Sequence, residues 1–70
     1  MEHFTNTQKS LIGCMLNLGI TEEFAGVLIT FLREDREVLI MAEYLRRYPT
    51  TDEERLLEMV KEIKEYTGSL

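Results

Sequence analysis

Leu45-Arg46-Arg47-Tyr48-Pro49-Thr50-Thr51-Asp52-Glu53-Glu54-Arg55-Leu56 decides how this chain is read. Its first half sets two arginines beside an aromatic ring, as a nucleic-acid contact does. Its second half is acidic. Each residue also has a plain role at the junction of two helices. Pro49 cannot continue a helix, and it biases Tyr48 toward an extended backbone. Thr50 and Thr51 are each followed three residues later by a glutamate, Glu53 and Glu54, which is the capping-box spacing twice over. Arg46 and Arg47 close one helix, where the macrodipole favours cations. Asp52, Glu53 and Glu54 open the next, where it favours anions. The stretch is read as a turn between helices, and the chain as all-α.

The flanks repeat this grammar. Before the stretch, Val38, Met41, Ala42 and Leu45 keep the spacing of one helical face, and Glu43 stands within reach of both Arg46 and Arg47. After it, Leu56, Met59, Val60 and Ile63 form another face, and Gly68 supplies a stop. Near the start, Thr5-Asn6-Thr7-Gln8 has the capping-box form, and Leu11, Cys14, Met15 and Leu18 follow on one side. Gly19 suits a left-handed helix end, with Ile20 placed to cover it. Thr21, Glu22 and Glu23 begin a second helix, whose stripe is Phe24, Val27, Leu28, Phe31 and Leu32.

The charged run Arg33-Glu34-Asp35-Arg36-Glu37 holds no glycine or proline, and only Asp35 offers a cap for a third helix. A split is expected there, because one straight helix over 21–47 has no way to fold back. The expectation is a compact small bundle of four short helices, at about 6–18, 22–33, 36–47 and 52–67, in a single domain over 1–70. Its expected core is Leu11, Met15, Leu18, Phe24, Leu28, Phe31, Met41, Leu45, Leu56, Val60 and Ile63.

Composition narrows the function classes. A chain of 70 residues buries only about 60% of its unfolded surface, so its core supplies about 3–5 kcal/mol of net stability. One cysteine excludes a disulfide within the chain, and one cysteine with one histidine is too few for a structural zinc site. The net charge of -5 repels phosphate backbones and anionic membranes at long range. No run reaches the roughly 18 apolar residues of a membrane span. Leu11-Ile12-Gly13-Cys14 matches a lipoprotein cleavage pattern, but the ten residues before it are polar and give no apolar lead-in. A lone thiol fits a reducing compartment, so the expected location is cytoplasmic.

Catalytic groups are not evident. His3 lies in a frayed terminus. Cys14 is expected to be buried, as a small hydrophobe beside Leu11, Met15 and Leu18. Glu54, Glu58 and Glu62 step by four along one helix as a solvated acidic stripe, offset by Arg55, Lys61 and Lys64. No Glu-x-x-His pair, phosphate loop, calcium loop or nucleotide fingerprint occurs. The expectation is a non-enzyme without a cofactor, a metal or an evident small-molecule substrate.

Apolar residues outside the main stripes suggest binding instead. Ile12, Leu16, Ile29, Leu39, Ile40, Tyr44, Leu57 and Tyr66 exceed what one face per helix requires. Ile29, Leu39, Ile40 and Tyr44 are the candidate interface, on the second and third helices, for a protein partner or a second copy. The alternative is a helix-turn-helix-like DNA-binding or transcription-regulating domain that uses Arg33, Arg36, Arg46 and Arg47. It ranks second, because residues 33–47 hold four arginines and four acids and so bring no net charge to a groove.

Overall fold

Caps and stops along the chain set four helices in the structure, a computed structural model that describes residues 4–68. Met1 to His3 lie outside the described residues, and with them the reading of His3. The helices are α1 (Asn6–Leu18), α2 (Glu22–Phe31), α3 (Asp35–Arg47) and α4 (Glu53–Thr67). Together they form a small all-α bundle.

The Thr5–Gln8 capping box forms as read. Thr5 Oγ1 accepts from the Gln8 N–H at 3.1 Å, and Gln8 Oε1 accepts from the Thr5 N–H at 2.9 Å. At the other end Gly19 turns left-handed, with φ 106°. The Gly19 N–H donates to the Leu16 carbonyl and the Ile20 N–H to that of Met15, at 3.1 and 3.0 Å. Ile20 and Met15 are both buried in the same core cluster, where such a helix end places an apolar residue.

Three boundaries depart from expectation. α2 stops at Phe31, two residues early, where the chain turns through Leu32, Arg33 and Glu34. α3 is capped at Glu34 instead of Asp35. There the Glu37 carboxylate reaches back to accept from the Glu34 N–H at 3.3 Å. Asp35 is used elsewhere, accepting from Thr5 Oγ1 at 3.3 Å and so tying the start of α3 to the start of α1. Before α4 neither threonine is the cap. Asp52 caps the Glu54 N–H at 3.0 Å, while Thr50 Oγ1 holds the Asp52 N–H at 3.1 Å.

α1 packs on α2 and α3, and α4 packs on the same two. The helices thus form a ring in the order α1–α2–α4–α3, and no helix is central. The core is Leu11, Met15, Ile20, Ala25, Leu28, Ile29, Leu32, Val38, Met41, Leu45, Leu56, Met59, Val60 and Ile63. Eight of the eleven expected core residues are in it. Leu18 and Phe24 are partly buried at its edge. Phe31 is a correction, since it is 48% exposed. α2 buries the line Ala25, Leu28, Ile29 and Leu32, and turns Val27 and Phe31 outward. A helix that is apolar on two sides can bury either, and here its neighbours choose the side carrying the small Ala25.

Among the described residues one charged side chain is inside. Glu37 is 1% exposed. Its carboxylate accepts from Lys64 Nζ at 2.9 Å and from Thr67 Oγ1 at 3.3 Å. Lys64, read from the sequence as part of a solvated stripe, is committed to this bridge between the start of α3 and the end of α4.

Candidate functional site

All three tyrosines of the chain border one groove between α3 and α4. Its volume is about 530 Å³, and its lining adds Ile40, Ile63, Glu43, Arg47 and Glu62 to Tyr44, Tyr48 and Tyr66. Helical spacing makes the wall. Ile40 and Tyr44 step by four along α3, Tyr48 follows as its C-cap, and Glu62 and Tyr66 step by four along α4. Tyr44 and Tyr48 meet edge to face, with ring centroids 5.7 Å apart, a favoured aromatic arrangement.

Arg55 fixes the Tyr44 side of the groove. The Tyr44 hydroxyl donates to Glu62 Oε1 at 2.6 Å and accepts from Arg55 Nη2 at 2.7 Å. Arg55 Nη1 donates to Glu62 Oε2 at 3.3 Å, and the guanidinium lies 5.5 Å from the centroid of the Tyr44 ring. The hydrogen bond from Tyr44, reinforced by Arg55, holds the Glu62 carboxyl below its ordinary 4.5, against an opposing push from desolvation. Its bond to Glu62, and then its partial desolvation, raise Tyr44 above its ordinary 10.0. Arg55 is held more firmly in its charged form, first by Tyr44 and then by Glu62.

These directions set a pH dependence. A carboxylate depressed by folding contributes stability above its unfolded value, and that contribution is lost as pH falls through the folded one. Acidifying below 4.5 therefore weakens the domain partly through Glu62. On the alkaline side, Tyr44 gives up its contribution as pH rises past 10.0. Tyr44→Phe removes the donor, so its thermal midpoint is expected to drop less than that of wild type between about pH 7 and pH 3. Equal drops in the two proteins would mean that the bond is not made in solution.

The candidate interface residues divide. Ile40 and Tyr44 come together in this groove. Leu39, 60% exposed, opens instead onto a second groove between α1 and α3, which Cys14, Leu18, Ala42 and Arg46 also line. Ile29 is a correction: it is 2% exposed, within the core line of α2, and offers nothing to a partner. Cys14 is another correction, because it is exposed. α1 buries Leu11 and Met15, and the three-residue step from Leu11 carries Cys14 to the edge of that face. Tyr48 and Tyr66 belong to the site, and the sequence reading did not include them as candidates. The i, i+4 spacing of Tyr44 and Tyr48 was a usable signal, and Tyr66 stood out as a surplus apolar residue of α4 with nothing to place it beside the other two.

The four arginines do not form one surface. Arg33 and Arg36 flank the start of α3. Arg46 and Arg47 lie at its end, roughly 15 Å away along the axis. Arg36 sits 3.7 Å from Glu34, Arg46 pairs with Glu43, and Arg47 reaches Glu43 at 3.4 Å. Among the described residues no group of three or more His, Cys, Asp or Glu is placed to hold a metal, and no helix is long and apolar enough to cross a membrane.

Fold and groove define a class, the small helical bundle with an aromatic-walled groove. Comparison with protein-family models, curated proteins and solved structures finds no match.

Proposed function

We propose that this domain is a non-catalytic protein-interaction module that grips a protein partner in the α3/α4 groove. The observation that carries this reading is the gathering of Tyr44, Tyr48 and Tyr66 around an Ile40–Ile63 floor. Tyrosine and arginine are enriched where protein interfaces concentrate their binding energy, because each combines a large contact area with a polar tip. The groove is prepared for this use. Arg55 and Glu62 hold Tyr44 in place, so less side-chain freedom is lost on docking. Its volume suits one or two large side chains of a partner. The exposed, lone Cys14 supports a reducing, cytoplasmic setting.

The test places a photo-cross-linking amino acid at the exposed Tyr66 and irradiates nuclease-treated lysate of the native source. A discrete protein adduct is expected, and Tyr48→Ala should abolish it. Adducts that form equally well from a probe at Leu39, outside the groove, would refute the site. An adduct that forms only when the nuclease is omitted would favour the DNA-binding alternative and direct mutagenesis to Arg33, Arg36, Arg46 and Arg47.

A further inference from the structure

The outer face shared by α2 and α4 is apolar along its middle and charged at its ends. Val27, Phe31 and Leu57 are 42%, 48% and 43% exposed. Phe31 and Leu57 share one shallow hollow, with Val60 and Lys61. Val27 borders another, with Glu23, Phe24 and Glu53. The spacing aligns them. Glu23, Val27 and Phe31 step by four along α2, as do Glu53, Leu57 and Lys61 along α4. The first turn of α2 faces the first turn of α4, and the end of α2 faces the later turns of α4, so the two helices run the same way.

This alignment polarises the face. Its helix-start end carries Glu23 and Glu53. About 12 Å further along, Lys61 and Arg33 mark the other end, with Arg33 beside Phe31 in the adjoining hollow. Among the described residues none of these four charges has an ion-pair partner, whereas Arg36, Arg46, Arg47, Arg55 and Lys64 are all paired.

We infer that a second copy of this chain covers the α2/α4 face, in an antiparallel two-fold arrangement. A two-fold axis through the Val27–Phe31–Leu57 strip brings the same strip against itself, as a closed dimer requires. The same rotation sets Glu23 and Glu53 of each copy against Lys61 and Arg33 of the other. A parallel arrangement would set like charges together. The antiparallel one also opposes the helix dipoles of the two copies favourably. A standard interface takes about 800 Å² from each partner, roughly a sixth of the 4858 Å² that this domain exposes. Leu57 and Tyr66 are nine residues apart on α4, which puts them on opposite sides of the helix. The dimer therefore leaves both α3/α4 grooves open, and it stands or falls independently of the proposed function.

The test is sedimentation equilibrium of the full chain over a wide concentration range, with thermal melts to confirm that each variant is folded. A dimer with a dissociation constant on the order of 10–100 μM is expected, weakening as salt is raised. Phe31→Glu should abolish it. Glu53→Lys sets like charges together at both ends and should weaken it about tenfold, and adding Lys61→Glu to that variant should restore it to within about twofold. Tyr66→Ala should leave it unchanged. A wild-type monomer at about 1 mM, or a dimer that survives Phe31→Glu, overturns the inference. A dimer lost in Phe31→Glu but indifferent to Glu53→Lys overturns the antiparallel arrangement.

Discussion

Lys64→Met is expected to leave the domain largely unfolded at room temperature. The cause is what remains behind. The Glu37 carboxylate is 1% exposed, and Lys64 Nζ, 2.9 Å away, is its cationic partner. Water cannot reach the carboxylate to replace that cation. Breaking a buried pair from one side costs about 3–5 kcal/mol, because the surviving carboxylate loses its lysine cation in a low-dielectric interior. A domain of this size has about 3–5 kcal/mol of stability in total. Combining Lys64→Met with Glu37→Gln should recover most of the loss. The glutamine oxygen can still accept from the Glu34 N–H, and no buried charge is left. Urea unfolding followed by circular dichroism measures both variants. A Lys64→Met midpoint equal to wild type would show that the bridge is not formed.

Leu28→Ala is the second large effect. Leu28 is fully buried at the centre of the α2 core line, so truncation loses its transfer energy and leaves a cavity, at about 2–5 kcal/mol. Phe31→Ala, three residues on in the same helix, should cost under about 1 kcal/mol, because half of that ring is already in water. A thermal melt of the two variants side by side reads the rotation of α2 directly. If Phe31→Ala proves the costlier, α2 is turned the other way about its axis and the outer α2/α4 face does not exist.

That pair of residues also shows what a sequence can convey here. The ends of the helices were legible because each is encoded within four or five residues. The Thr5–Gln8 box, the left-handed Gly19, Thr21 ahead of two glutamates, Pro49 and Gly68 all act where they stand. Local codes failed where two options competed within reach, as with Asp52 against Thr50 and Thr51, or Glu34 against Asp35, and at the end of α2, where no glycine or proline marks the stop. The rotation of α2 was not legible, because Val27 and Phe31 make as good a stripe as Ala25, Leu28, Ile29 and Leu32 until neighbours are present. The Glu37–Lys64 bridge was hidden for a different reason. Its partners are 27 positions apart, and Glu37 read as part of the charged run between two helices and Lys64 as part of a solvated stripe. In the groove, Ile40 and Tyr44 were found through surplus hydrophobicity. Tyr66 carried the same surplus, but only the docking of α4 sets it beside Tyr44 and Tyr48.

The ring order α1–α2–α4–α3 bears on how quickly the chain finds its structure. α1 with α2, and α3 with α4, are neighbours in sequence as well as in space, so each pair forms across a loop of a few residues. Closing short loops costs little chain entropy, and chains dominated by local contacts fold in microseconds to milliseconds. The search then reduces to the docking of two preformed halves. The Glu37–Lys64 bridge lies wholly within the second half, so a buried charge need not wait for the slower encounter to be neutralised.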